Sequence, residues 1–284
     1  MGIFSDVLLT VDYDRTLTAP DSSIPERNLE AIRYFMENGG AFTVNTGRSV
    51  PMAKAFRNRV PMNAPLLLYN GSAAYDLETE RLLFCHEIPL NLWQVVGECM
   101  ALFPDLSVEM QGLRAHYRFR EDPAWDAFCD YNGCVHAYAR PGDDLGPFLK
   151  FSIYGPIRDV TVADLYNATA QELRRIDELE SILRQHYGAV CQVVRAAPKI
   201  VDVQVLGASK GRSARELQRQ LGRKILVCVG DAENDVPMLE GADWSFCPAD
   251  GVVADRFPNV CRCADGAVAE VVYEKIPEIL QKNP

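Results

Sequence analysis

Apolar residues along the chain fall into two kinds of run. Near the N-terminus, Leu8, Leu9 and Val11 sit in an almost continuous apolar stretch, as do "AFTVNT" from Ala41 and "APLLLYNG" from Ala64. Runs of this kind, with no polar face, predict strands buried on both sides. Between the first two, "IPERNLEAIRYFMENGG" repeats its apolar positions at helical spacing and stops at Gly39 and Gly40. The order strand, helix, strand, helix, strand predicts a parallel sheet with helical crossovers. It returns near the C-terminus as "VDVQVLG", "KGRSARELQRQLG", "KILVCVGD" and "VPMLEGA".

The middle of the chain follows the other pattern. "LSVEM", "AHYRF", "VHAYAR" and "LKFSIYG" include strands that alternate apolar and polar positions, the mark of a sheet with one polar face, among helices expected near 90–103, 123–131 and 161–187. The expectation is an α/β layer built from residues 1–82 and 198–284, with an inserted α+β domain at 83–197.

Composition narrows the functional classes. The chain has 284 residues, 48% of them hydrophobic, and a formal charge of −10. That is enough apolar material for a sizeable core, and the acidity with no long Lys/Arg run argues against nucleic acid as a partner. The start, "MGIFSDVLLTVD", carries neither a basic segment nor a long apolar one, so no membrane span is expected and the chain reads as cytoplasmic. Nine cysteines in apolar surroundings read as reduced core residues. Cys129, Cys134 and His136 lie far from Cys261 and Cys263 and lack paired C-x-x-C spacing, so they do not make a zinc framework.

Candidate chemistry sits where the apolar runs end. The first run delivers Asp12 and Asp14 one position apart, the second "NTGR" with Thr46, and a later one "GDAEND" with Asp231, Asn234 and Asp235, while Lys210 opens a helix. In an open parallel sheet these strand ends converge on the ligand site. Several carboxylates beside one lysine and one hydroxyl repel one another unless a hard cation such as Mg²⁺ joins them. Taken singly, each motif has an ordinary reading: a D-x-D pair as a solvated turn, "GDAEND" as an acidic helix start. His86, His116, His136 and His186 fall in the inserted segment and read as surface or packing residues, Tyr34, Phe35, Trp93 and Trp125 as faces of amphipathic helices, and Arg114, Arg118 and Arg120 as a solvated strand face.

"DYDRT", "NTGR", "SKG" and "GDAENDVPML", in this order, resemble the four motifs of the haloacid dehalogenase-like hydrolase superfamily, and "YNGSAAYD" at 69–76 resembles a segment of its Cof-type branch (subclass IIB), in which a large C2-type cap follows. The resemblance implies a Rossmann-like parallel sheet core with helices on both faces and a cap that sets specificity. It implies a Mg²⁺-dependent phosphatase acting on a small phosphorylated metabolite, a sugar phosphate or similar monoester. Asp12 would be the nucleophile that forms an aspartyl-phosphate, and Asp14 the general acid and base. Mg²⁺ would rest on Asp12, the Asp14 carbonyl and Asp231, and the phosphoryl oxygens on Thr46, Gly47, Arg48, Lys210 and Asn234. Asn234 and Asp235 would orient a metal-bound water and Lys210. A phosphosugar mutase of the same superfamily and a catalytically silent small-molecule binding protein are the alternatives. The chain departs from the family's usual D-x-D-G-T by carrying Arg15 at the glycine position. At 247–250 it reads "CPAD" where relatives usually carry an Asn-Ala pair, so Asp250 takes no role. Oligomeric state and substrate are not legible.

Overall fold

The structure, a computed structural model, describes residues 2–282. The chain divides into two compact units, one made of Met1–Gly47, Phe56–Phe84 and Ser209–Pro284, the other of Arg48–Ala55 and Cys85–Ala208.

The first unit is built on a five-stranded sheet in the order Asn259–Val260, Trp244–Pro248, Ile225–Val229, Val7–Val11, Ala41–Val44. Every pairing in it is parallel. Val7–Val11 is buried throughout, as its apolar run requires. Leu8, Leu226 and Cys228 pack against Ala214 and Leu217 of the helix Lys210–Gln220 and against Met238 and Leu239 of the helix Val236–Gly241. The helix Glu26–Glu37 packs on Ala267–Glu270, ends at Asn38, and Gly39 follows at φ 91°. The register matters for function: Val11 lies opposite both Val229 and Val44. Asp12, Gly230 and Asn45 therefore leave the sheet together at its carboxyl edge.

Two segments depart from the sequence reading. Leu66–Leu68 pairs antiparallel with Ala73–Asp76 and touches the parallel layer through a single bridge, Asn45 to Leu67. Ile200–Val205, expected in the parallel layer, instead pairs antiparallel with Lys150–Tyr154 and Cys191–Ala197. Its composition explains the difference. Val201 and Val203 join the apolar cluster of the second unit, while Asp202 and Gln204 alternate with them on the opposite face. That is the pattern of a sheet with one polar face, and it moves the end of the inserted unit to Ala208.

The second unit carries a six-stranded sheet in the order Cys191–Ala197, Ile200–Val205, Lys150–Tyr154, Ser107–Gln111, His116–Arg118, His136–Tyr138. Helices Leu92–Leu102 and Ala170–Tyr187 bury Val95, Val96, Ile176, Leu179 and Leu183 with its apolar face. The helix Pro123–Tyr131 forms a separate cluster in which Trp125 and Phe128 meet Tyr154. Arg118, expected on a solvated face, is buried and paired with Asp126, because Glu109 lies opposite it in register and the His136 ring contacts its guanidinium at 3.0 Å, which makes that face a polar interior. No helix among the described residues is long and apolar enough to cross a membrane.

Candidate active site

The strand Val7–Val11 ends in a tight, doubly bonded turn. The Leu17 N–H donates to the Asp12 carbonyl at 3.2 Å and the Thr18 N–H to the Tyr13 carbonyl at 3.0 Å. The Tyr13 ring stacks on Phe56 with centroids 4.0 Å apart. Within this turn Arg15 takes φ 61°, ψ 10°, and its N–H donates to Thr18 Oγ1 at 3.2 Å. A left-handed backbone costs a residue with a Cβ roughly 1–2 kcal/mol. The turn geometry thus favours glycine here, and Arg15 occupies the position under strain.

Asp12 points into a buried ion cluster. Lys210 Nζ donates to Asp12 Oδ1 at 2.5 Å and to Asp235 Oδ1 at 2.6 Å, with all three residues buried. The other Asp235 oxygen accepts the backbone N–H groups of Asp231 and Ala232, both at 3.0 Å. Asp235 is therefore committed on both oxygens: it clamps the loop that carries Asp231 and fixes the lysine. Asp231 accepts from Thr16 Oγ1 at 3.0 Å. Asp14 is exposed at the mouth of the turn, two residues from Asp12.

Lys210 is placed by the start of its helix. Ser209 caps that helix, accepting from the Arg212 N–H at 3.1 Å. The Lys210 carbonyl is held by Asn45 Nδ2 at 2.9 Å and Ser213 Oγ at 3.0 Å. Gly211 is required because a Cβ there would stand 2.0 Å from the Pro237 carbonyl oxygen, where the Lys210 and Val236 helices cross. Thr46 is fixed by its N–H donating to the Leu67 carbonyl at 2.9 Å. A Cβ at Gly47 would come 2.7 Å from Asn70 Oδ1, the end of a side chain that can move aside. Asn70 in turn lies 3.5 Å from Asn234 Nδ2, a long contact at the rim.

The structure therefore brings together Asp12, Asp231, Asp235 and Lys210, and places Asp14, Thr46, Gly47 and Asn234 at the same carboxyl edge within the first unit. Arg48 opens the segment that belongs to the second unit. Thr16, Asn45 and Ser213 are site-shaping residues that the sequence reading passed over. Thr16 stood inside "DYDRT", and its spacing from Asp12 was the available signal.

The electrostatics follow from counting charges. Three buried carboxylates share one ammonium. Burial pushes the Asp12 carboxyl up to about 8, with Lys210 opposing and Asp235 adding to the rise. Burial, reinforced by Asp235, likewise lifts Asp231 to about 6. Burial works against the Lys210 charge, but Asp12 and Asp235 outweigh it and hold the amine protonated. Asp12, Asp231 and Asp235 offer oxygens all within 4.8 Å of one another. Because Asp235 is already committed, Asp12 and Asp231 are the oxygens left to a divalent cation, whose hard-oxygen preference they match.

A family model described as haloacid dehalogenase-like hydrolase matches residues 9–253. Curated relatives include an HMP-PP phosphatase of Serratia proteamaculans, 24% identical over 238 residues that make up 82% of this chain and 80% of that protein. A 5-amino-6-(5-phospho-D-ribitylamino)uracil phosphatase of Bacillus subtilis is 22% identical over 241 residues, 83% of this chain and 80% of the relative. Among solved structures, a haloacid dehalogenase-like hydrolase from Bacteroides thetaiotaomicron superposes with a TM-score of 0.77 at 20% identity, covering 95% of this chain and 98% of the other.

Proposed function

Because the chain belongs to the haloacid dehalogenase-like hydrolase family, we propose that it is a Mg²⁺-dependent phosphoric monoester hydrolase acting in the cytoplasm on a small phosphorylated metabolite. The observation that carries this reading is the buried set in which Lys210 bridges Asp12 and Asp235 beside Asp231, at the end of a central parallel strand. Phosphatases are also what the matched curated relatives are named for.

In this reading Asp12 attacks phosphorus in line and forms an aspartyl-phosphate, a covalent intermediate suited to a carboxylate. Asp14, exposed and two residues on, gives a proton to the leaving oxygen and later takes one from the attacking water. Lys210, anchored by Asp235 and by the grip of Asn45 and Ser213 on its carbonyl, sets the direction of the nucleophile and presents positive charge to the phosphoryl group. Thr46 and the backbone around Gly47 complete the phosphoryl grip, joined by Arg48 and Asn234. Asp12, the Asp14 carbonyl and Asp231 would hold Mg²⁺, which supplies charge neutralisation for the transferring group.

The test is phosphate release from a panel of phosphorylated sugars and nucleotides, with Mg²⁺ and then with a chelator. Release of inorganic phosphate that stops on chelation supports the reading. Conversion of one phosphosugar to its isomer without free phosphate would replace it with a mutase. No reaction across the panel, together with tight binding of one member, would favour a silent binding protein.

A further inference from the structure

We propose that Arg15 determines specificity by meeting a second anionic group on the substrate, so that the enzyme prefers phosphoryl compounds carrying negative charge beyond the group that is cleaved. This inference rests on the phosphatase reading for its setting and on Arg15 itself for its content.

Arg15 follows Asp14 directly and is exposed, with a left-handed backbone at φ 61°. Glycine would hold that conformation without strain. A strained residue persists when its surroundings over-determine it, and such residues gather at ligand-handling positions. Here the surroundings are the Thr18 hydroxyl on the Arg15 N–H, the stacked Tyr13 before it, and Thr16 tied to Asp231 after it.

The side chain has no internal task. Among the described residues the Arg15 guanidinium makes no hydrogen bond or ion pair. Arg118, Arg175, Arg195 and Arg215, by contrast, are each engaged with carboxylates. Lys210, the buried cation of the first unit's site, is already shared between Asp12 and Asp235. An incoming phosphoryl group with a further negative charge therefore meets a surplus of carboxylates, and Arg15 is the uncommitted cation at the edge of their turn. Its charge reaches the metal-binding oxygens: burial raises the Asp231 carboxyl, and Arg15 is among the groups that oppose the rise. A planar guanidinium suits the task, since its fork binds phosphate or carboxylate oxygens in pairs. The substrate class is then a diphosphate, or a monoester with a neighbouring phosphate or carboxylate.

The experiment uses two probes that differ in charged groups, inorganic phosphate and inorganic pyrophosphate, titrated calorimetrically into the Mg²⁺-loaded protein at fixed free Mg²⁺. Wild type, Arg15→Gly and Arg15→Lys are compared by the ratio Kd(phosphate)/Kd(pyrophosphate). Loss of a charged hydrogen-bonding partner predicts that this ratio falls about tenfold or more in Arg15→Gly. Arg15→Lys, which keeps the charge but loses the fork, should recover part of the fall. A ratio unchanged in Arg15→Gly overturns the proposal. Hydrolysis of p-nitrophenyl phosphate by the wild-type protein is measured alongside. Its absence would strike the phosphatase reading while the binding ratio still judged Arg15.

Discussion

Each unit of the molecule buries a cluster of charged side chains, and the two clusters obey opposite rules. In the inserted unit every deep charge has its counterpart: Lys150 with Asp202 at 2.9 Å, Lys199 with Asp164 at 2.9 Å, His116 with Glu109 at 2.9 Å. Although burial works against it, Glu109 is held below the usual carboxylate range by His116, helped by hydrogen bonds from Trp125 and Tyr154. In the first unit Asp12, Asp231 and Asp235 share Lys210, and burial drives Asp12 and Asp231 upward instead. Buried charge is therefore no sign of chemistry by itself. A surplus of one sign, held in place by committed neighbours, is the sign, because it is resolved by taking up a proton or a ligand of opposite charge.

The comparison breaks most visibly at Asp12. Asp12→Asn removes the proposed nucleophile and should lower turnover by on the order of 10⁴-fold or more, as loss of a covalent-catalysis residue does. It also removes one surplus carboxylate, leaving Lys210 paired with Asp235. The variant should thus melt no lower than the wild type in Mg²⁺-free buffer, by calorimetry. Asp14→Asn, which touches the exposed, proposed proton-transfer group alone, should cost about a hundred- to ten-thousandfold. A markedly less stable Asp12→Asn protein would mean that the cluster is a structural ion network after all.

The balanced cluster predicts the reverse. Lys199→Met leaves Asp164 buried without its cation, and breaking such a pair costs about 3–5 kcal/mol. Adding Asp164→Leu should return most of that loss, since an apolar pair of similar volume replaces a buried ion pair at little cost. Urea denaturation of the three proteins measures both. If Lys199→Met is as stable as wild type, the inserted unit's ion pairs are not organised as stated.

The sequence carried the two-pattern distinction between the units, and with it most of the strands. Continuous runs such as Val7–Val11 and Ile225–Val229 became the parallel layer, and Lys150–Tyr154 joined the antiparallel one. Ile200–Val205 was misplaced because its neighbours in sequence belong to the parallel layer, although the alternation of Asp202 and Gln204 with Val201 and Val203 already carried the right answer. The family motifs marked Asp12, Lys210, Asp231 and Asp235, which the fold draws together. What they could not reveal is which oxygens are already taken. That depends on two backbone N–H groups reaching Asp235, and on Asn45 and Ser213 converging on one carbonyl. Such partners are distant in sequence or belong to the backbone, so no side-chain pattern announces them.

A pH titration sharpens the surplus-charge side. Asp12 rises to about 8 and Asp231 to about 6 from an ordinary value of 3.8. At these two carboxyls the folded, metal-free protein binds more protons than the unfolded chain between pH 4 and 8, so their contribution to stability falls as pH rises through that window. A divalent cation displaces those protons, so its affinity must climb with pH and level off above about 8. One displaced proton gives a slope of about tenfold per pH unit. Mg²⁺ titrations at pH 6, 7 and 8 read that slope, and a flat profile would show that Asp12 and Asp231 are not the competing sites.

The smallest expected effect falls on Thr16, and it separates the two clusters at the level of one hydrogen bond. Thr16 is fully buried, and its hydroxyl donates to Asp231 Oδ1 at 3.0 Å, lowering a carboxyl that burial raises. Thr16→Val keeps the shape and deletes the donor. A hydrogen bond to a charged group contributes about 1.5–3 kcal/mol, but in metal-free protein the carboxyl escapes part of that loss by taking up a proton. The cost should therefore surface in metal binding: Mg²⁺ affinity should drop about tenfold near neutral pH and recover toward wild type as the pH is raised. In the inserted unit, removing the Tyr154 hydroxyl from Glu109 offers the control, since that carboxylate keeps His116 and Trp125 and no metal is expected there. Tyr154→Phe should leave Mg²⁺ affinity where it is. Equal losses in the two variants would erase the distinction between surplus and balanced charge, and a Thr16→Val loss that persists at high pH would assign the threonine to geometry instead of charge.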